Sequence, residues 1–248
     1  MPSSLQDWND HFEHLYGRRN AHFLPGIGPR LRYFALALGD AQDAVRVKGV
    51  SGVYALAIAR LVCRAFMLGH QYPDLPLVEA MVSRFGGSAC GYCRKTPCDC
   101  PDVGRDDITL RTEADPHQAG KGLYFWQKHL NALYGEKNAQ HGIQNILSRL
   151  FREYVEFQSI VDDTEQMCFR EPGESVKTLS VKLAHELADV FAWIFALATA
   201  LRVDAAKAVD DLYRAGCPDC KELPCICTNL EFRLADWKNL PPERRLTP

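Results

Sequence analysis

The strongest constraint on the fold is a cysteine pattern that occurs twice. Residues 90–100 read CGYCRKTPCDC and residues 217–227 read CPDCKELPCIC, so both clusters have the spacing C-x2-C-x4-C-x-C. Eight of the ten cysteines in this chain of 248 residues lie in these two clusters. Four thiolates are enough for one tetrahedral structural Zn²⁺, so each cluster is predicted to be a compact zinc knuckle.

About two zinc ions per chain are therefore expected. The predicted ligands are Cys90, Cys93, Cys98 and Cys100 in one cluster and Cys217, Cys220, Cys225 and Cys227 in the other. Because an all-cysteine site has no open coordination position, the predicted role is structural. An Fe–S cluster, or one site shared by both clusters, stays open as an alternative. The two remaining cysteines, Cys63 and Cys168, are interpreted as buried thiols.

A second repeated block precedes each cluster. Residues 8–21, WNDHFEHLYGRRNA, and residues 126–139, WQKHLNALYGEKNA, are identical at seven positions. Two similar blocks in the same order predict an internal duplication. We place the first repeat at 1–103, a polar linker with proline and glycine at 104–121, and the second repeat at 122–248.

Hydrophobic periodicity predicts an all-α fold. Apolar side chains recur at helical spacing in two long stretches of the second repeat: Ile146, Leu150, Tyr154 and Phe157, and then Leu183, Leu187, Val190 and Ile194. No sustained strand alternation is present. Each repeat is predicted to be a small helical bundle, and the two are expected to pack about a pseudo-twofold axis. Gly17 and Gly135, in the repeated block, are interpreted as helix caps or turns.

Composition excludes some classes of partner. A formal net charge of −2 gives no reason to expect nucleic acid or an anionic membrane as the main partner. The N-terminal sequence lacks the basic and apolar regions of a signal peptide. The two most apolar stretches are interrupted by Arg60 and Arg64 or by Asp189, so they are interpreted as core helices. A soluble cytoplasmic protein is expected, and a homodimer is possible.

Two apolar helices of the second repeat each carry a pair of carboxylates three residues apart. Since an α-helix turns by about 100° per residue, Glu186 and Asp189 fall inside the apolar stripe of their helix and not opposite it. Glu153 and Glu156 lie in the same way beside the apolar stripe of the preceding helix. The two pairs are therefore expected to face the interior.

Four carboxylates in a partly buried site must take up protons, pair with bases or bind a cation. A ligand set made only of oxygen favours Mg²⁺ or Mn²⁺. Salt bridges to Arg149, Arg152 and Lys182 are the alternative. A ferritin-like di-iron site is disfavoured because such bundles use Glu-x-x-His pairs.

In these residues the chain resembles the MazG-like branch of the all-α NTP pyrophosphohydrolases. The resemblance rests on REYVE (152–156), HELADVFAWIFALATAL (185–201) and RVDAAKAVDDLYRAGCPDC (202–220). The family pattern is E-E-x-x-E on one helix and E-x-x-D on the next, and a subset ends in a similar cysteine cluster. The similarity covers residues 122–228, and Arg152 stands where the family usually has its first glutamate.

The resemblance implies hydrolysis of a nucleoside or deoxynucleoside triphosphate to the monophosphate and pyrophosphate. It maps the catalytic metal ligands onto Glu153, Glu156, Glu186 and Asp189. Two further residues are candidates for substrate binding: Lys182 for phosphate and Trp193 as a wall of the base pocket. A surface lysine and a core aromatic residue are the alternatives for these two.

The first repeat lacks the acidic pattern. Its E-x-x-D position falls on or near Val53 and Leu56, and its E-x-x-E position falls around Phe34 and Ala37. One active site per chain is therefore predicted, in the second repeat. Whether the first repeat lends bases to substrate phosphates stays open; the candidates are Arg30, Arg32, Arg46 and Lys48.

The alternative function is a catalytically inactive, zinc-stapled helical protein with an interaction or regulatory role. The acidic residues of the second repeat would then be vestigial. Contact of the knuckles with nucleic acid is a weaker reading, because the chain is nearly neutral.

Overall fold

A computed structural model describes most of the chain, in five ranges: 2–47, 51–72, 75–100, 115–168 and 175–227. Of residues 164–168 and 175–179 it describes the backbone only. Residues 104–114 of the predicted linker lie outside the described residues. Lys48 and the side chain of Cys168 also lie outside them.

The described residues form seven α-helices and no β-strand, so the predicted all-α class is confirmed. The helices are α1 (Leu5–Phe23), α2 (Ile27–Arg46), α3 (Ser51–Gly69), α4 (Leu77–Phe85), α5 (Leu123–Cys168), α6 (Ser175–Ala200) and α7 (Ala205–Tyr213). A single 3₁₀ turn, Pro116–Gly120, precedes α5.

Local side-chain caps define where two of these helices begin. The Ser4 hydroxyl accepts a hydrogen bond from the backbone N–H of Asp7, and the Asp7 carboxylate accepts one from the backbone N–H of Ser4. This reciprocal capping box satisfies two N–H groups that lack partners within the helix. Asp204 caps α7 by accepting from the backbone N–H of Lys207.

Two glycines with positive φ break the helices. Gly26 separates α1 from α2 with φ 76° and ψ 177°, and Gly142 interrupts α5 with φ 74° and ψ 168°. Glycine takes this conformation readily because it has no Cβ. Gly17 and Gly135 lie inside α1 and α5, so the interpretation of these two as caps or turns is wrong. In both segments the chain turns at the following glycine.

The long helices share one hydrophobic core. α2 packs along α3, the second part of α5 packs along α6, and α3 and α6 pack against each other. Phe66 of α3 meets Phe191 of α6 with ring centroids 4.8 Å apart. Phe34 of α2 stacks on Tyr154 of α5 at 5.2 Å. The two predicted repeats therefore do not have separate cores.

The two C-terminal segments cross over between the halves. We call residues 77–100, which comprise α4 and the first cysteine cluster, the first tail, and residues 205–227, which comprise α7 and the second cluster, the second tail. α4 packs against α6, whereas α7 packs against α3. Each tail therefore lies against the long helices of the other half of the chain.

Two pairs of matching hydrogen bonds hold the tails in place. The Nε2–H group of His129 donates to the backbone oxygen of Phe85 at 2.7 Å, and His11 donates in the same way to Tyr213 at 3.0 Å. Further along each tail, a cysteine N–H donates to a leucine of the repeated block: Cys98 to Leu133 at 2.7 Å and Cys225 to Leu15 at 2.9 Å.

Two segments, Ser51–Gly69 and Ser180–Ala200, are long and apolar enough to cross a membrane. Within the fold, 67% and 61% of their apolar windows are buried. Core helices of soluble proteins have the same length and composition, so these two segments do not establish a membrane location.

Candidate functional site

A cavity of about 610 Å³ opens between α5, α6 and the first tail. Its wall contains Glu153, Glu156, Glu186 and Asp189, which are the four carboxylates singled out from the sequence. Aromatic and other apolar side chains also line it: Phe85, Tyr92, Leu130, Tyr134, Ala192, Trp193, Ala196 and Ala200. The cavity thus combines an apolar wall with a cluster of negative charge.

Three of the four carboxylates meet closely. Glu153 on α5 and Glu186 and Asp189 on α6 each offer an oxygen, and these oxygens lie within 4.8 Å of one another. The carboxylates point inward because they share the stripe of their helices with core residues such as Leu187 and Val190, which have no exposed surface. Asp189 itself is only 8% exposed.

Burial and mutual repulsion disfavour the charged forms of these groups. Burial, together with the neighbouring carboxylates of Asp189, Glu156 and Glu186, raises the pKa of Glu153 to about 8. Burial also raises the pKa of Asp189 to about 7, against the lowering effect of a nearby guanidinium. The pKa of Glu186 is raised too, again mainly by burial. Without a cation, the cluster does not carry its full negative charge at neutral pH.

The fourth carboxylate has a different partner. Glu156 lines the cavity, but its Oε1 accepts a hydrogen bond from Nε of Arg152, one turn earlier on α5, at 2.6 Å. The predicted alternative of a salt bridge to Arg152 therefore describes Glu156. The geometry groups three carboxylates closely and leaves Glu156 beside them.

The cation nearest the cluster comes from the first tail. Arg84, at the end of α4, binds both oxygens of Asp189 through its guanidinium, with Nε 2.8 Å from Oδ1 and NH2 on Oδ2. Asp189 is 105 residues further along the chain. Sequence reasoning missed Arg84 because no local pattern links these two positions. The only hint is the basic residue in the last turn of a short amphipathic helix.

Of the other residues predicted to contact substrate, some line the cavity and others do not. Trp193 is partly buried and lines the cavity, whereas Phe191, two residues earlier, belongs to the core. Lys182 is exposed and is absent from the cavity wall. The first-half bases Arg30, Arg32 and Arg46 do not line the cavity either, and Arg30 instead donates to the backbone oxygen of Met67. Arg84 is the first-half base that reaches the site.

Each cysteine cluster has the geometry of a tetrahedral thiolate site. The four sulfur atoms of each cluster lie within 4.8 Å of one another. Four of the Sγ–Sγ distances are 3.7 Å for Cys90–Cys100, 4.0 Å for Cys93–Cys98, 3.8 Å for Cys217–Cys227 and 3.9 Å for Cys220–Cys225. With a Zn–S bond of about 2.3 Å, the edge of a tetrahedron is about 3.8 Å. A disulfide would require about 2.05 Å. Both clusters could therefore hold a metal ion.

Backbone N–H groups favour the thiolate form of the second cysteine in each cluster. Burial would raise the pKa of Cys93, but hydrogen bonds from the backbone of Asp99 and Lys95 lower it to about 6. The pKa of Cys220 is lowered in the same way to about 7 by N–H groups of the turn that follows it. Thiolates are the form that binds metal.

The two clusters differ in what surrounds them. Cys90 and Cys98 of the first cluster form part of the cavity wall, and the Tyr134 side chain beside them hydrogen-bonds to Cys90. In the second cluster, Cys217 accepts a hydrogen bond from Tyr16 at 3.7 Å in a buried region of the core. Only the first cluster borders the acidic cavity.

The donor set of the acidic cluster fits a hard divalent cation. Glu153, Glu186 and Asp189 offer only oxygen ligands, which Mg²⁺ and Mn²⁺ prefer, and their burial leaves like charges that a cation would neutralise. The ring of His185 faces elsewhere, with its Nε2 3.4 Å from the Ser83 hydroxyl.

No family model, curated protein or solved structure matches this chain.

Proposed function

We propose that this protein is a Mg²⁺-dependent (or Mn²⁺-dependent) nucleotide pyrophosphohydrolase that cleaves a nucleoside or deoxynucleoside triphosphate to the monophosphate and pyrophosphate. The observation that carries the proposal is the meeting of three carboxylates, Glu153, Glu186 and the buried Asp189, in the wall of a cavity that aromatic side chains also line. The order of acidic pairs and cysteines along the second half resembles MazG-like pyrophosphohydrolases, which agrees with this function.

The cavity suits a nucleotide in size and polarity. Ligand sites are typically about 300–1,000 Å³ with apolar walls and a few polar groups, and this cavity has about 610 Å³. Trp193 and Tyr134 offer aromatic faces on which a base would stack. The triphosphate would then extend along the cavity toward the carboxylates.

An acidic cluster receives a triphosphate only together with positive charge. Glu153, Glu186 and Asp189 would hold a divalent cation, which would supply positive charge for the phosphates and lower the pKa of an attacking water. The water oxygen bonds to the α-phosphorus, the bond from that phosphorus to the α–β bridging oxygen breaks, and pyrophosphate leaves. A glutamate of the cluster accepts the proton of the water. Arg84, Arg149 and Arg152 add positive charge to the same wall.

We further propose that the two halves are copies of one unit, related by a pseudo-twofold axis, and that each cysteine cluster holds one structural zinc ion. The support lies in matching contacts. The histidines and leucines of the repeated blocks bind the tails in the same way, and both breaking glycines, Gly26 and Gly142, are followed by isoleucine. Counted from these glycines, Glu153 corresponds to Ala37 and Glu156 to Asp40.

One observation favours the second candidate function, a helical interaction protein without catalysis. Arg84 engages Asp189 and Arg152 engages Glu156, so arginines already compensate two of the four carboxylates. A salt-bridged cluster of this kind is stable without metal. The two functions differ in turnover, which a direct assay measures.

The decisive experiment is an assay of the purified protein with the common NTPs and dNTPs and Mg²⁺, with pyrophosphate as the readout. Glu186→Gln keeps the side-chain volume but removes a carboxylate, so we expect a loss of at least about 100-fold in rate. Asp40→Asn, which removes a carboxylate of the first half outside the cavity wall, is expected to retain full activity. Absence of turnover by the wild type on every nucleotide, or an unchanged rate for Glu186→Gln, would rule out the enzyme.

A further inference from the structure

The side chain that links the two halves at the acidic site is Arg84. Its guanidinium binds both oxygens of Asp189, the most buried of the carboxylates, and its charge opposes the rise that burial causes in the pKa of Glu186. Arg84 lines the cavity, with 21% of its side chain exposed. It is therefore positioned to contact both the carboxylates and a molecule in the cavity.

The residues on either side of Arg84 are anchored to the second half of the chain, whereas the guanidinium of Arg84 can exchange its hydrogen-bond partner. Phe85 is fixed by His129 at 2.7 Å, and the hydroxyl of Ser83 lies 3.4 Å from His185. Three successive residues of the first tail thus contact the second half of the chain. The guanidinium at the end of a flexible side chain is free to change partner without moving α4.

A divalent cation and the guanidinium compete for the same oxygens. With both oxygens of Asp189 engaged by Arg84, a cation entering the cluster would lie against a second positive charge. A triphosphate offers the guanidinium the same two charge-assisted hydrogen bonds as the Asp189 carboxylate, together with a larger negative charge. The exchange removes the repulsion and leaves Asp189 open to the cation.

From these contacts we infer that Arg84 is an exchangeable counter-ion, which neutralises Asp189 in the empty site and transfers to substrate phosphate when the metal–triphosphate complex enters. The inference rests on the proposed metal site. It makes the first half a contributor to substrate binding. It also means that the protein binds free metal weakly and the metal–phosphate complex tightly, so that metal does not occupy the site without substrate.

The test measures two affinities in the full-length protein with Arg84→Gln. Mn²⁺ alone is titrated and followed by the electron paramagnetic resonance of the free ion, and a preformed Mn²⁺–tripolyphosphate complex is titrated by calorimetry. In the variant we expect Mn²⁺ alone to bind about tenfold tighter and the complex about tenfold weaker. Arg214→Gln, which removes an exposed arginine paired with Asp210 just after α7, is expected to change neither affinity.

A purely structural salt bridge gives a different result. If Arg84 only anchors α4, its loss lowers the affinities for Mn²⁺ and for the Mn²⁺–tripolyphosphate complex together. An equal fall in the two affinities, or no change in either, in a folded variant overturns the inference but leaves the proposed metal site intact. Arg84→Lys keeps the positive charge but loses the two parallel N–H donors of the guanidinium, so this variant should retain part of the affinity for the complex. It serves as the test variant if Arg84→Gln does not fold. If the wild type binds neither probe and Asp189→Asn behaves identically, both the proposed site and this inference fail.

Discussion

The two tails have the same construction and different surroundings. Both contain a short helix, a histidine-bound carbonyl, a C-x2-C-x4-C-x-C cluster and a cysteine N–H bound to a leucine of the repeated block. The residue before Phe85 is Arg84, which reaches the acidic cluster, whereas the residue before the matching Tyr213 is Leu212. The first tail thus places an arginine at the charged cavity, whereas the second tail has an apolar side chain at the matching position.

The long helices that receive the tails differ as well. The first tail faces the carboxylates of α6, while the second tail faces α3, where Arg60 and Arg64 stand among apolar residues. Arg64 lies 3.7 Å above the ring of Tyr33, and Arg60 is 3.7 Å from Asp40. In the first half, then, an arginine stacked on a tyrosine and an arginine–aspartate pair are found where the second half has its cluster of carboxylates. Both halves contribute to one hydrophobic core, whereas the acidic cluster found in the described residues lies in the second half.

The sharpest test of this comparison is a matched pair of cysteine variants, Cys98→Ser and Cys225→Ser. Each removes one ligand of one cluster, so zinc content should fall from about two ions per chain to about one. We expect each to destabilise the protein by about 3 kcal/mol or more and to lower the Tm by about 6–12 °C.

Their effects on activity should differ. Because Cys98 lines the cavity and Cys225 does not, only Cys98→Ser should also lower kcat/KM, by about tenfold or more, at a temperature where both variants are folded. Metal analysis, thermal melts and the pyrophosphate assay provide the three readouts. Equal losses of activity in the two variants would mean that the first cluster has no special relation to the cavity.

A smaller effect is expected from the two histidines that hold the tails. His129→Gln and His11→Gln each weaken one buried hydrogen bond to a tail carbonyl, at a cost of about 1 kcal/mol in the free energy of unfolding. Denaturant titration checks this value. Since Phe85 adjoins Arg84, only His129→Gln should weaken binding of the Mn²⁺–tripolyphosphate complex. The same weakening in His11→Gln would contradict the distinction between the tails.

An effect of similar size that depends on pH concerns Asp40, a carboxylate of the first half that lies 3.7 Å from Arg60. Burial raises the pKa of Asp40 to about 6 in the folded protein, from about 4 when unfolded. Its protonated form is therefore favoured by folding, and the stability that it contributes is present below about pH 4 and lost as the pH rises through 6.

Relative to Asp40→Asn, which does not titrate, the wild type should lose about 1 kcal/mol of stability between pH 4 and pH 7. Urea titrations of both proteins across this range measure the difference. A pH-independent difference would show that Asp40 is more fully solvated, or better paired with Arg60, than its surroundings indicate.

Much of the site could be predicted from the sequence because its pattern is local. The positions of Glu186 and Asp189 inside an apolar stripe follow from helical periodicity, and the sulfur geometry of each cluster follows from short spacings. For Glu156, the local pattern predicts the position of the residue but not its partner. Periodicity places it beside the stripe, but its pairing with Arg152 depends on side-chain conformations that spacing does not specify.

The amino-acid sequence by itself determined the all-α class, the cysteine groups and the helices that carry the carboxylates, since these depend on residues within a few turns of one another. Only the tertiary structure decided that each tail packs on the other half, and so that Arg84 meets Asp189 from 105 positions away. Contacts between distant segments are selected by how whole surfaces fit and exclude water, and that information is spread over both halves of the chain.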